Sequence, residues 1–231
     1  MMVAVSIAAA AFAAPSSAGS FKVNPVQIKL PADQQAASLT ITNSDAAPVA
    51  IRVVTLAWSQ PNGEDKYSPT SNVIVSPPIF TVPAGGTQLI RVGLKERGAD
   101  RAYRVILEEI PRQKPVEGEI QVILRLNLPL YLIPKDGGKT DVSWRAWRTA
   151  DGNIDIEGRN RGTLYEQVAE LSAEADGSTE VLSKQLGVVL PGSSRIWKVR
   201  GSTLLHPGGS FTLKIRSSAG EIEAPVLLES R

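Results

Sequence analysis

The residues able to do chemistry are few in this 231-residue chain. Histidine occurs once, at His206 between Leu205 and Pro207, and neither a histidine-based triad nor a His-rich metal site can be made from one. Cysteine is absent, which removes disulfide frameworks, thiolate metal ligands and thiol nucleophiles. Asp151, Asn153 and Asp155 are spaced like the opening of a calcium loop. Neither the glycine nor the bidentate glutamate follows at the required positions, so the trio reads as a solvated hairpin. Gly137-Gly138-Lys139 lacks the rest of a phosphate-binding loop. Glu108 and Glu109 are neighbours in a strand pattern and point to opposite faces, which keeps them from acting as a facing acid/base pair. This inventory predicts no enzyme, no metal site and no cofactor.

The pattern that stands out is apolar. Ile120, Val122, Leu124, Leu126 and Leu128 alternate along the chain with Gln121, Arg125 and Asn127 between them, Ile123 being the exception. Strand geometry puts the five aliphatics on one face. In an ordinary sandwich that row is simply core. Residues 112–118, with Pro115 and Gly118, form a long loop before it and allow the upper part of the strand to project as an exposed edge. Such an edge invites pairing with another chain. A protein that donates a strand keeps it deliberately: backbone groups pair with the partner while alternate side chains fill its pockets.

The elements that would position this row are strands. From Phe21 onward the chain alternates with period two and is interrupted every eight to twelve residues by Pro, Gly, Asn or Asp. A first strand kinked at Pro25 carries Phe21, Val23, Val26, Ile28 and Leu30. Further strands are expected at residues 39–41, 49–58, 73–82 around Ser76-Pro77-Pro78, 88–94, 103–110 and 119–133. Seven strands make one immunoglobulin-type sandwich. Residues 134–139 turn polar and glycine-rich, which predicts a linker. Strands then return at 142–148, 154–160, 182–190, 196–199, 211–216 and 222–228, with a hairpin turn at Asp151-Gly152-Asn153. Leu164, Val168 and Leu171 fall at helical spacing, but a sandwich needs a strand there, and Thr163, Tyr165 and Val168 tolerate one. The expectation is an all-β protein of two immunoglobulin-like β-sandwich domains, 19–134 and 141–231, joined by a linker at 135–140.

Composition agrees with a folded, exported protein. The chain is 42% hydrophobic and 21% charged, ordinary for globular protein. A net charge of +2 is far weaker than nucleic-acid binding usually requires. Residues 3–14 are almost uniformly small and apolar, too short a run to cross roughly 30 Å of hydrocarbon, and Ser16-Ser17-Ala18 supplies a small-x-small cleavage pattern. The pattern predicts a signal peptide over 1–18, although no Lys or Arg precedes Lys22. No later segment has the length of a membrane span, so no membrane insertion is expected.

At this point the residues resemble a known family. Leu39-Thr40-Ile41-Thr42-Asn43, Trp58-Ser59-Gln60, Ser76-Pro77-Pro78, Gln88-Leu89-Ile90-Arg91, Tyr103-Arg104, Glu109-Ile110-Pro111 and Leu128-Pro129-Leu130-Tyr131 are similar to PapD-like periplasmic pilus-assembly chaperones, above all the archaic branch that serves Csu-type and spore-coat-U-like fimbriae. Asn160 and Val189-Leu190-Pro191-Gly192-Ser193 extend the likeness to the second half. The resemblance implies two immunoglobulin-like domains in a boomerang, a periplasmic location, and a pilin subunit bound in and beside the cleft for delivery to an outer-membrane usher. It places Ile120, Val122, Leu124 and Leu126 among the donor side chains. In the family's best-known branch an arginine in the first strand and a lysine in the donor strand anchor the client's terminal carboxylate. Those positions are Gln27 and Pro129 here, which leaves Arg91, Arg104 and Arg125 as candidate anchors. The family's interdomain ion pair also looks incomplete, with Glu109 at the acid's position but Ile133 where the arginine is expected.

A secreted immunoglobulin-like adhesin or carbohydrate-binding protein is the alternative, since Trp58, Trp144, Trp147 and Trp197 could in principle stack on sugars. Core packing is the commoner fate of tryptophan.

Overall fold

A computed structural model of the chain describes residues 21–97, 102–111 and 122–230. The expected signal peptide, the loop at 112–118 and Ile120 lie outside the described residues. The first half forms β1 (Phe21–Asn24), β2 (Ile28–Pro31), β3 (Ala36–Asn43), β4 (Val49–Ser59), β5 (Lys66–Pro69), β6 (Val73–Ser76), β7 (Ile79–Val82), β8 (Thr87–Leu94), β9 (Ala102–Glu109) and β10 (Arg125–Ile133). One sheet has the order β1-β3-β8-β6; the facing sheet runs β2-β10-β9-β4-β5, with β7 also pairing β4. The kink expected at Pro25 is where the chain changes sheet: β1 pairs antiparallel with β3, whereas β2 pairs parallel with β10. The inward period is lost there too, and Val26, grouped by its spacing with Ile28 and Leu30, is 70% exposed.

The inward residues of the two sheets, among them Leu39, Ile41 and Ile90 against Ile51, Leu107 and Leu130, make one closed core. Burying each such aliphatic is worth about 1.5–3 kcal/mol, which is why alternation alone suffices to set the register.

The second half forms β11 (Val142–Arg148), β12 (Ile154–Asn160), β13 (Glu166–Ala175), β14 (Ser178–Ser183), β15 (Gly187–Val189), β16 (Ser194–Val199), β17 (Ser210–Ser217) and β18 (Gly220–Ser230). The stretch whose spacing was ambiguous between helix and strand is β13, the partner of β14, β15 and β17. The single strand expected over 182–190 is instead two. Lys184, Gln185 and Leu186 break it, so β14 and β15 pair with different parts of β13. Strand β18 pairs first with β17 and, from Leu228 on, in parallel with β11, which carries one strand from sheet to sheet. A second core gathers around Ile156, Leu171, Trp197 and Leu213. The protein is thus all-β, two immunoglobulin-like sandwiches in sequence.

Two buried asparagines do the same work in the two halves. Asn43, at the end of β3, donates to the carbonyls of Ala47, Val82 and Pro83, and Asn160, at the end of β12, donates to those of Leu164 and Val189. Each side chain satisfies carbonyls at a strand end and in the turn beside it, so both belong to the scaffold.

Candidate functional site

Strand β10 has two unequal edges. Along one, Arg125–Tyr131 pair with Glu108–Ala102 of β9. Along the other, β2 reaches only Leu130, Tyr131, Leu132 and Ile133. From Arg125 to Pro129 the second edge has no partner strand among the described residues, and its backbone groups are open to another chain.

The side chains on this strand emerge from the core step by step. Leu128 is 6% exposed; Leu126 and Leu124 are partly buried against the first core; Val122 and Ile123 are half exposed at 51% and 50%. Among the described residues of the strand expected from residue 119, the regular ladder begins at Arg125, after Val122, Ile123 and Leu124. Before it, the Leu124 backbone is bonded twice to Glu109: its carbonyl accepts from the Glu109 N–H at 3.0 Å and its N–H donates to Glu109 Oε2 at 3.2 Å. Glu109 therefore secures the start of β10 rather than an ion pair between the halves, and Ile133 packs into the apolar contact between them.

The three candidate arginines are in different places. Arg91 stands exposed on the outer face of β8, opposite Ser38 and Ser76. Arg125 pairs with Glu108 at 3.0 Å, and Glu108 also takes Arg52 at 2.7 Å. Arg104, in the middle of β9, lines a cleft of about 360 Å³ between the two halves. Its guanidinium carbon lies 3.8 Å from the centre of the Trp58 ring and 5.5 Å from that of Tyr67. Its Nε is buried without a hydrogen-bond partner.

Gln27 and Pro129 line the same cleft, as do Asn127, Tyr131 and, from the second half, Gln167, Leu186 and Val188. Val26 and Leu186, both strongly exposed, give its lining an apolar contribution from each half. Burial holds the Tyr131 phenol far above its ordinary value, so it stays a neutral donor at any physiological pH.

The floor of the cleft is a contact between the halves. Trp58, Ala102 and Tyr131 pack on Tyr165, Val188 and Leu190, with the Tyr131 and Tyr165 rings stacked 3.6 Å apart. Gln60 extends this contact as if it were backbone: its Nε2 donates to the Val188 carbonyl at 2.6 Å, and its Oε1 accepts from the Leu190 N–H at 2.9 Å. Gln27 donates to the Tyr165 hydroxyl at 3.0 Å. Asp65 pairs with Arg195 at 2.5 Å and also accepts from Trp58 Nε1 and Gln60 Nε2, both at 2.8 Å. Partial burial pushes the Asp65 carboxyl up, but the bonds from Arg195, Gln60 and Trp58 outweigh it and leave it below its ordinary value. At the turn after β4, Gly63 has φ +80°, and a Cβ there would lie 2.6 Å from Ile196 Cγ1, so glycine is what lets the halves approach.

The other polar residues singled out by spacing are spent locally. Asp151 accepts from Thr149 and Asn153 within its own hairpin, and His206 sits exposed in a loop. No cluster able to hold a metal ion occurs among the described residues. Trp58, Trp147 and Trp197 are buried, and Trp144 leans on Trp197 over Gly158.

Residues 20–137 match the family described as pili and flagellar-assembly chaperone, PapD N-terminal domain. No curated protein matches in sequence. Among solved structures, the fold is similar to the CsuC–CsuE chaperone–tip adhesion subunit pre-assembly complex from the archaic Csu pili of Acinetobacter baumannii. The TM-score is 0.69 at 19% identity, over 92% of this chain and 99% of that one. The E. coli chaperone DraB gives 0.62 at 18% identity, over 90% and 97%. The complex of the Salmonella enterica SafA pilin with the SafB chaperone gives 0.62 at 17% identity, over 92% and 97%. At these identities the likeness is one of fold.

Proposed function

The chain belongs to the PapD-like pili and flagellar-assembly chaperones, and on that premise we propose that it captures pilus subunits in the periplasm by lending them β10, then passes them to an outer-membrane usher. The observation that carries this reading is the open edge of β10 from Arg125 to Pro129, beside a row of aliphatics that rises out of the core. A client strand laid along that edge gains a ladder of backbone hydrogen bonds. Val122, Leu124 and Leu126 then enter its apolar groove, with Ile120 extending the row as the resemblance implies. The working units are the sandwiches at 19–134 and 141–231, with a signal peptide at 1–18 and a linker at 135–140.

In this reading the anchor for the client's terminal carboxylate is Arg104. It is the candidate that lines the cleft, its Nε lacks a partner, and it stands beside Gln27 and Pro129, where the family's best-known branch places its anchor. A guanidinium offers a carboxylate two parallel donors, which gives direction as well as affinity. Sugar binding is not favoured, because the indoles are occupied by packing and Trp58 already carries Arg104 on its face.

The test is capture. Co-expressed with a pilus subunit, the wild-type chain should co-purify with it, and Val122→Asp should fold yet lose it, since a charge enters an apolar groove only at high cost. Undiminished co-purification would reject the donor role.

A further inference from the structure

Asp65 is bonded in two directions at once. Toward the second domain it holds Arg195, whose side chain is 14% exposed. Within the first domain it accepts the Trp58 indole N–H, and the face of that indole carries the Arg104 guanidinium. The run Arg195–Asp65–Trp58–Arg104 therefore joins one wall of the cleft to the other. The charges divide unequally along it. Asp65 neutralises Arg195, whereas no described carboxylate pairs with Arg104. One uncompensated cation is left in the cleft.

We propose that Asp65 is a positioning residue that fixes the angle between the domains and the placement of Arg104 together, so that the cleft is preset to receive a single carboxylate. This rests on the reading of Arg104 as the anchor. It differs from an ordinary interdomain ion pair in its second half. An indole held by its N–H cannot turn, so the guanidinium stacked on it, with Nη2 also donating to the Tyr67 hydroxyl at 3.3 Å, is held at the cleft before any client arrives. Preorganisation of this kind raises affinity by lowering the ordering cost of binding. The positions implied for an interdomain ion pair are otherwise occupied, with Glu109 bound to Leu124 and Ile133 packed in the interdomain contact, so this task falls to Asp65 and Arg195.

The experiment uses the full chain and a synthetic peptide of alternating valine and threonine, made with a free terminal carboxylate and as its amide. Because the chain has no cysteine, Lys22→Cys and Ser178→Cys carry spin labels that report the distance between the domains. In the wild type the acid should bind about tenfold or more tighter than the amide, with one narrow distance distribution. Arg104→Ala should abolish the preference and leave the distance narrow. Asp65→Asn should abolish the preference and broaden the distance. Trp58→Phe keeps a ring under Arg104 but removes the N–H; it should weaken binding of the acid more than binding of the amide, which a merely structural role would not do.

If Arg104→Ala removes the preference while Asp65→Asn keeps both it and the narrow distance, the positioning role is wrong and the anchor stands. If Arg104→Ala keeps the preference, the anchor is wrong and the coupling falls with it. Should Asp65→Asn fold poorly, Arg195→Gln breaks the same pair from the other side and carries the same two expectations.

Discussion

Arg104 lies face-on over Trp58, 3.8 Å from the ring centre, and the two residues come from adjacent strands, β9 and β4. The stack holds a guanidinium inside a cleft between domains where no described carboxylate neutralises it. In a free protein such an arrangement is a cost, and it is compensated when an anion arrives.

Replacing Arg104 therefore acts on capture more than on folding. Arg104→Ala removes one charge-assisted interaction worth about 1.5–3 kcal/mol, roughly ten- to a hundredfold in affinity. Titration of a pilus subunit against the variant measures this directly. Arg104→Lys should recover only part of the loss, because an ammonium lacks the planar fork.

Along β10, tolerance should follow exposure. Leu128 is buried in the first core, and Leu128→Ala should cost about 2–5 kcal/mol of stability. Val122 is half exposed in the free protein, and Val122→Ala should stay within about 0.5 kcal/mol while weakening client capture. Chemical denaturation beside pull-down separates the two effects.

Gln60 bonds two backbone groups of the second domain with one amide. Gln60→Ala strands the Val188 carbonyl and the Leu190 N–H in a buried contact, a loss of about 1–3 kcal/mol for each group left unpaired. Calorimetry should show reduced interdomain cooperativity, with the two sandwiches unfolding in separate transitions.

The Asp65 carboxyl is depressed in the folded protein, so its contribution is present above the unfolded value near about 3.9 and is lost as pH falls through the folded one. The domain contact should hold at neutral and mildly acid pH and loosen only below about pH 4. Thermal unfolding followed from neutral pH into strong acid checks the sign. Asp65→Asn should flatten that acid limb.

Period-two alternation was enough to reveal two sandwiches, because burial on one face is what each strand's sequence encodes. Where the inward period stops carrying information the reading slipped. Val26 belongs by spacing with Ile28 and Leu30, but the chain leaves one sheet for the other at Pro25 and its side chain turns out. The break at Lys184, Gln185 and Leu186 was invisible because Leu182 and Leu190 kept the expected spacing around it. The alternating aliphatics from Val122 to Leu128, which the proposal makes the donor row, were legible, whereas the open edge beside them was not, since pairing depends on where β2 ends. Arg104 was legible only as one of several arginines. What distinguishes it is Trp58, 46 residues earlier, and no local pattern reports a partner that far away. Gln60 was legible only as part of the motif Trp58-Ser59-Gln60, yet its two bonds reach residues 128 and 130 positions on.

Amide hydrogen exchange across β10, with and without a bound pilus subunit, tests the lent strand most directly. Residues 122–128 lack a partner strand on one side in the free protein and should become strongly protected in the complex, while Leu130 and Tyr131, already paired on both sides, should change little. A complex that forms with exchange over 122–128 unchanged would mean that the client is held elsewhere and that β10 is not given to it.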